Sequence, residues 1–243
     1  MGLYRDEAIV LRTQKLGEAD RIVTLLTRDH GQLRAVAKGV RRTTSRFGSR
    51  LEPATHVDLQ LHTGKSLEIV TQAETLNPYG DVISRDYQMW TVASAMLETA
   101  ERFTSMEHEP ALQQFLLLFS ALRSLSTGAH DPSLILDAFL LRSLAVGGYA
   151  PSFSECSRCG ATGPHRWFSL VGGGSVCVDC RPSGSATPAT DTLELLTALL
   201  TGDWGSAESS TPRSRREASG LIAAYLAWHM ERNLRSLPLV ERV

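Results

Sequence analysis

Four cysteines, arranged as two Cys-x-x-Cys pairs, constrain this chain more than any other feature of its sequence. The pairs are Cys156/Cys159 and Cys177/Cys180, with seventeen residues between them, and they hold all the cysteine in the chain. This spacing is typical of two tight turns whose thiolates converge on one tetrahedral Zn²⁺. The alternatives are two disulfides or four free thiols in a core. We predict one Zn²⁺ bound by all four cysteines.

The residues around the two pairs favour zinc. The stretch RWFSLVGGGSV, residues 166–176, predicts a hairpin with Gly172–Gly174 at its tip, so residues 151–188 form a zinc ribbon. A cytoplasmic chain disfavours disulfides, and free core cysteines would not cluster in this way. His165 is either a substitute ligand or an ordinary loop histidine. Four thiolates leave no open coordination position for a reacting water, so the predicted site is structural.

Residues 1–80 predict a small β-barrel. Runs rich in β-branched residues are each bounded by turn residues, and Val57, Leu59 and Leu61 alternate with polar side chains as on a sheet with one wet face. There are five such runs, over residues 7–13, 21–27, 32–39, 55–62 and 66–74. Five short strands within about 75 residues favour an OB-fold.

The hydrophobic period changes from strand-like to helix-like after residue 80. Helical patterns cover residues 81–147, where Asp131 and Pro132 predict the start of a helix over 132–146. Asp191 and Glu194 resemble a capping box that opens a short helix to about Leu200, and a last helix is predicted over 212–234. The fold class is therefore α+β: an OB-fold domain over 1–80, then a helical domain over 81–243 with the zinc ribbon inserted at about 151–188.

Composition and charge narrow the classes of function. With 42% hydrophobic and 21% charged residues in 243, the chain is an ordinary globular one, and its apolar runs are too short to cross a membrane. Charged residues at positions 5–7 argue against a secretion signal, so we expect a cytoplasmic protein. The net charge of -1 conceals an asymmetry: residues 1–50 carry +6 and residues 81–150 carry -4.

The positive charge is concentrated in residues 34–50, which we call the basic segment. It holds six cations, no acidic residue and one phenylalanine: Arg34, Lys38, Arg41, Arg42, Arg46, Arg50 and Phe47. Six like charges repel one another unless an anion offsets them, which favours nucleic acid over a solvated charge run. Phe47 either stacks on a base or anchors the segment.

No catalytic constellation is present in the sequence. Gly64-Lys65-Ser66 resembles the end of a phosphate-binding loop, but Leu59 stands where that motif needs glycine. There is no G-x-S-x-G motif and no histidine pair with metal-ligand spacing. We therefore expect a binding protein and not an enzyme. The alternatives are a zinc-ribbon subunit of a nucleic-acid-processing enzyme, or a transcriptional regulator that binds DNA through the ribbon.

Several sequence stretches resemble the RecO family of bacterial recombination-mediator DNA repair proteins. They are GEADRIVTLLT, AKGVRR with SRFG and LEP after it, and CSRCG with the second cysteine pair between helices. The resemblance covers essentially the whole chain. It implies binding of single- and double-stranded DNA, annealing of complementary strands, and help, together with RecR, in loading RecA onto DNA coated by single-strand-binding protein.

The same resemblance suggests which residues meet these partners. It places DNA contacts at Lys38, Arg41, Arg42 and Arg46. Some members of the family lack the cysteines, so zinc is not expected to carry the activity. The resemblance also implies docking on the acidic, aromatic-ended tail of single-strand-binding protein, for which the candidate cations are Arg123, Arg142 and Arg232.

Overall fold

The structure is a computed structural model that describes residues 2–43, 45, 47–230 and 233–241. It confirms the α+β class, with an N-terminal five-stranded barrel followed by helices. The chain divides into two compact units, residues 1–129 and 130–243. Two predicted site residues, Arg46 and Arg232, lie outside the described residues. Among the described residues, no helix combines the length and apolarity that spanning a bilayer requires.

All five predicted strands are confirmed. They are β1 (Leu3–Leu16), β2 (Asp20–Thr27), β3 (Gly31–Ala37), β4 (His56–His62) and β5 (Glu68–Asn77). The sheet closes in the order β1-β2-β3-β5-β4, and only the short β3–β5 contact is parallel. This order, with a parallel closing contact, is that of an OB barrel.

Alternation along the strands fills the barrel interior. Ala8 and Val10 of β1, Leu25 of β2 and Leu59 of β4 point inward and are fully buried. Their neighbours Ile9 and Leu26 point to the other side of the sheet, as the two-residue period requires. Three apolar residues of the connection after β3 join the same core: Val40, Phe47 and Leu51.

Helices of the first unit cover the outer face of β1 and β2. They are α1 (Tyr79–Ile83), α2 (Tyr87–Phe103) and α3 (Leu112–Thr127). Helix α2 packs on β1 and α3 on β2, so Ile9 and Leu26 are fully buried although they lie outside the barrel interior. The connection between α2 and α3 pairs with the edge of β3, where the His108 N–H donates to the Gln32 carbonyl at 2.9 Å.

The second unit is helical and carries the ribbon. Its elements are α4 (Pro132–Val146), β6 (Trp167–Ser169), β7 (Gly174–Val176), α5 (Thr190–Thr201), α6 (Trp204–Glu208), α7 (Pro212–Met230) and a 3₁₀ helix, Leu237–Leu239. The Asp131 carboxylate accepts from the Ser133 and Leu134 amides, which confirms the predicted start of α4. The last helix, predicted over 212–234, is observed as α7, but residues 233 and 234 are not helical, and residues 231 and 232 lie outside the described residues.

The predicted capping box at Asp191 and Glu194 is wrong. Helix α5 begins at Thr190, two residues earlier than a capping box at Asp191 requires, and its N-cap residue, Ala189, has no capping side chain. The Glu217 carboxylate of α7 takes that role, because it accepts from the Ala189 amide and from the Thr192 hydroxyl. A cap supplied by another helix leaves Asp191 and Glu194 exposed on the surface of α5.

Candidate nucleic-acid interface and metal centre

The basic segment lies at one end of the barrel and is fixed at both of its ends. Val40 is 8% exposed, and Phe47 and Leu51 are buried further along, so apolar side chains anchor the segment in the barrel core. Near its beginning, the Gly39 amide donates to the Asp20 carboxylate at 2.7 Å, and the Arg41 amide donates to the Ala19 carbonyl at 2.9 Å. The turn between β1 and β2 therefore holds the segment in position.

Three cations of the basic segment are exposed and form no ion pair with a described carboxylate. Lys38, Arg41 and Arg42 are all exposed, and none has a carboxylate partner among the described residues. The Arg41 guanidinium donates to the Glu18 carbonyl at 2.8 Å, which orients it without neutralising its charge. The anchored backbone thus presents a compact set of positive charges to solvent.

Other arginines of the barrel are neutralised by ion pairs. Arg34, at the start of the basic segment, donates to the Glu107 carboxylate at 2.5 Å. Arg12 pairs with Glu101 at 2.7 Å, and Arg21 pairs with Glu52 at 2.6 Å. These acidic partners are far from the arginines in sequence, so no local pattern could have identified them. The barrel therefore carries less unpaired positive charge than its number of basic residues suggests.

Phe47 occupies the anchoring position and not a stacking one. It is 7% exposed and belongs to the barrel core. Contact with a base would require its removal from that core. Arg50 follows it in the short 3₁₀ helix Gly48–Leu51 and is exposed.

The four cysteines converge as predicted. Their Sγ atoms all lie within 4.8 Å of one another, and those of Cys159 and Cys177 are 3.9 Å apart. Four sulfurs at about 2.3 Å from a tetrahedral Zn²⁺ would be about 3.8 Å apart. The donor set therefore fits a metal ion of this kind. His165 bonds instead through its ring to the Ala161 carbonyl and does not belong to the cluster.

Backbone geometry builds the cluster. Gly160 takes a left-handed conformation (φ 73°), which lets the first turn close through its amide onto the Cys156 carbonyl. The hairpin of β6 and β7 brings up the second pair, and the Cys177 amide points at the Cys156 sulfur at 3.4 Å. That amide lowers the pKa of the Cys156 thiol to about 6, whereas the neighbouring Cys177 and Cys159 side chains raise the pKa of Cys180 to about 12. All four groups can therefore be thiolates together only when a bound cation offsets their charge.

The ribbon is attached to α7 by aromatic side chains. Phe168 of β6 is buried and meets the ring of Tyr225 edge-on at 5.8 Å. Phe153 stacks against Phe168 at 6.1 Å. The cluster is thus joined to the helices of the second unit through a small apolar contact.

The two described candidates for a peptide-tail site have different surroundings. Arg123 is exposed on α3. Burial raises the pKa of the Tyr79 phenol, and the nearby charge of Arg123 offsets part of this rise. Arg142 of α4 donates to the Leu199 carbonyl at 3.0 Å and lies 5.8 Å from the Trp204 ring centre. Burial lowers the pKa of Arg142. Arg123 is therefore the more accessible of the two.

Fold and site together define an OB-barrel protein with a basic segment at one end of the barrel and a four-cysteine cluster, suited to a metal ion, among its helices. The model of the recombination protein O N terminal region matches residues 1–79, and that of the C terminal region matches residues 84–238. The chain therefore belongs to the recombination protein O family, and its role lies in DNA repair and recombination.

Three curated relatives are similar to this chain over their full length. The chain is 62% identical to the DNA repair protein RecO of Streptomyces coelicolor over 248 residues, which cover all of both chains. It is 63% identical to the DNA repair protein RecO of Thermobifida fusca over 242 residues, again covering all of both. For the Nocardioides protein of the same name the identity is 61% over 243 residues, covering 99% of this chain and 100% of the relative.

Proposed function

We propose that this protein is a non-enzymatic recombination mediator of the cytoplasm. It binds single- and double-stranded DNA through its basic segment and anneals complementary strands. Together with RecR it helps to load RecA onto DNA that is coated by single-strand-binding protein. One observation carries the proposal. Lys38, Arg41 and Arg42 are exposed without a carboxylate partner among the described residues, and the turn between β1 and β2 holds their backbone.

The covered face of the barrel supports annealing in particular. OB-folds commonly bind nucleic acid on the sheet face, where aromatic residues stack on bases. Here α2 and α3 pack on β1 and β2, and Phe47 is buried. DNA is then held through its phosphates, which leaves the bases free to pair with a second strand. The cations reduce the repulsion between the two backbones, and no nucleotide hydrolysis is needed.

Zinc has a structural role in this proposal. Cys156, Cys159, Cys177 and Cys180 would hold it, and its bonds would fix the ribbon. Because four thiolates fill its coordination shell, it offers no site for a reacting water. The ribbon then serves the folding of the protein, whereas the basic segment serves DNA binding.

The salt dependence of DNA binding tests the basic segment. If Lys38, Arg41, Arg42 and Arg46 each meet a phosphate, log K for a single strand should fall with log salt at a slope of about -3, from about -0.7 per contact. Arg41→Glu with Arg42→Glu should roughly halve that slope and weaken binding. Fluorescence anisotropy over a salt series measures both quantities.

Arg28→Glu with Arg85→Glu is the matched control. Both arginines are exposed in the first unit, lie outside the basic segment, and change the net charge equally. This control should keep the wild-type slope. Equal slopes in all three proteins would show that DNA is held elsewhere and would contradict the proposal.

Docking of single-strand-binding protein requires a second site, for which we propose the exposed side of α3 around Arg123. Leu116 is exposed two turns before Arg123 and offers an apolar contact for an aromatic chain end. An acidic peptide that ends in an aromatic residue should bind the wild type and lose affinity in Arg123→Ala, but not in Arg85→Ala. Loss in Arg142→Ala alone would move the site to α4. Competition between this peptide and single-stranded DNA would contradict the two-site proposal.

A further inference from the structure

The second unit contains a groove that the proposed function does not use. Its volume is about 1150 Å³, and it runs between α5 on one side and α6 with the start of α7 on the other. Residues of the ribbon also contribute to the lining, among them Phe153 and Pro164. Helix α5 has 12 residues, so it offers a wall of about 18 Å, which matches about five residues of extended chain.

Four hydroxyl groups on the two walls already donate their hydrogen to a backbone carbonyl. On α5, the Thr197 hydroxyl donates to the Leu193 carbonyl and the Thr201 hydroxyl to the Thr197 carbonyl. On the opposite wall, the hydroxyls of Ser209 and Ser210 donate to the carbonyls of Ser206 and Ala207. Each of these side chains has one hydrogen, which is already used, so it can only accept from a ligand, and the Ser210 oxygen already accepts one bond from Arg215 Nε at 2.9 Å.

Carboxylates add negative charge to this acceptor surface. Asp191 and Glu194 are exposed on α5, and neither has a hydrogen-bond or ion-pair partner among the described residues. Asp203 also lines the groove, and the hydroxyl and amide of Ser206 lower its pKa, so it stays ionised. Glu217 is occupied by its capping bonds to α5.

The balance of charge on the lining is negative. Four carboxylates stand against the guanidinium groups of Arg166 and Arg213, which leaves -2 with His165 neutral. A surface of acceptors with net negative charge complements a ligand that donates hydrogen bonds and carries positive charge. A groove of this length suits an extended chain better than a compact small molecule.

We propose that this groove binds an extended, lysine- or arginine-containing peptide segment of a partner protein. The ammonium or guanidinium groups meet Asp191 and Glu194, and the hydroxyls of both walls accept from the remaining donors of the segment. The site is independent of the basic segment, which carries the opposite charge in the other unit.

Titration of the full-length, zinc-loaded protein with a labelled peptide of alternating lysine and serine tests this proposal. The wild type should bind it and should not bind the matched peptide of glutamate and serine. Asp191→Asn with Glu194→Gln should weaken binding about fivefold, since two exposed ion pairs are lost. Backbone amide shifts should change in α5 and at the start of α7 of the wild type, which locates the site without any variant.

Glu155→Gln with Asp179→Asn is the control, because it removes two exposed carboxylates of the ribbon that lie outside the lining. It should leave the affinity within about twofold of the wild type. Equal weakening in both double variants would show general electrostatic attraction and overturn the proposal. So would absence of binding, shift changes confined to other elements, or displacement of the peptide by spermidine at an equal concentration of charge.

Discussion

The barrel and the ribbon reach a fixed shape by different means. The barrel has five strands around a continuous apolar core, in which Leu25, Leu33, Leu59 and Leu61 are fully buried. The ribbon has two strands of three residues each, and its buried apolar side chains are few, with Phe168 and Val176 the main ones. A two-stranded hairpin is at best marginally stable in water. The barrel is thus stabilised by apolar burial, whereas the ribbon, in our proposal, depends on a metal ion held by its four cysteines.

The largest expected effect of this difference follows from removing one thiol. Cys159→Ser should release the metal and unfold residues 156–180, because metal binding and folding of such a segment are one equilibrium. Hydrogen exchange should show loss of protection across the ribbon and none across β1–β5. Ser183→Ala, an exposed change nearby, should do neither. Retained protection of the ribbon in a metal-free protein would remove the distinction between the two regions.

A cavity in the barrel should give the reverse pattern. Leu59→Ala deletes a fully buried side chain of β4, and such changes cost about 2–5 kcal/mol in the free energy of unfolding. Urea unfolding of the first unit measures the loss, and the metal content should stay unchanged. Leu3→Ala, at a site 57% exposed, is the control and should cost far less. A fall in metal content with Leu59→Ala would mean that the two regions do not fold independently.

A smaller effect is expected in the pH dependence of the stability of the barrel. Burial lowers the pKa of His56 below its usual value of 6.5, with Glu7 opposing and Arg28 reinforcing the shift. Its ring packs against Phe119 at 5.1 Å and bonds to the Asn77 amide at 2.9 Å. The unfolded chain therefore takes up a proton at higher pH than the folded one, so stability is full above about pH 6.5 and falls as the pH drops below it.

The slope from this one group cannot exceed about 1.4 kcal/mol per pH unit. His56→Gln should flatten the pH dependence of urea unfolding in the first unit between pH 7 and pH 5. His62→Gln, in the same strand but only partly buried, should leave it closer to the wild type. An unchanged profile in the His56 variant would show that other groups set the acid sensitivity of the barrel.

Local sequence patterns were sufficient to predict an element where its structure depends on residues close to it in the chain. The alternation of Val57, Leu59 and Leu61 predicted β4, and the spacing of the cysteines predicted the ribbon. Strand β1 is longer than the predicted run over 7–13, because Leu3 to Glu7 pair with β4, a partner that lies more than fifty residues away. The same limit applies to the start of α5, where Glu217 supplies the cap from another helix.

The candidate site shows this limit most clearly. The run of cations in the basic segment was visible in the sequence, but the neutralisation of Arg34 by Glu107 was not, since 73 residues separate them. The choice between stacking and anchoring for Phe47 also depended on the barrel core, which only the assembled strands define. The positive character of this surface was therefore predictable from local sequence, whereas the pairing of its individual arginines with distant carboxylates was not.

The helical cover of the barrel has a consequence for dissecting the protein. A fragment that ends at residue 80 would contain every strand of the barrel but would lack α2 and α3. Ile9 and Leu26 would then face water, and the edge of β3 would lose its bond from His108. An open edge beside an apolar surface invites pairing between copies. Such a fragment should therefore self-associate, whereas one that extends to residue 129 keeps this cover and is the better choice for studying the barrel alone.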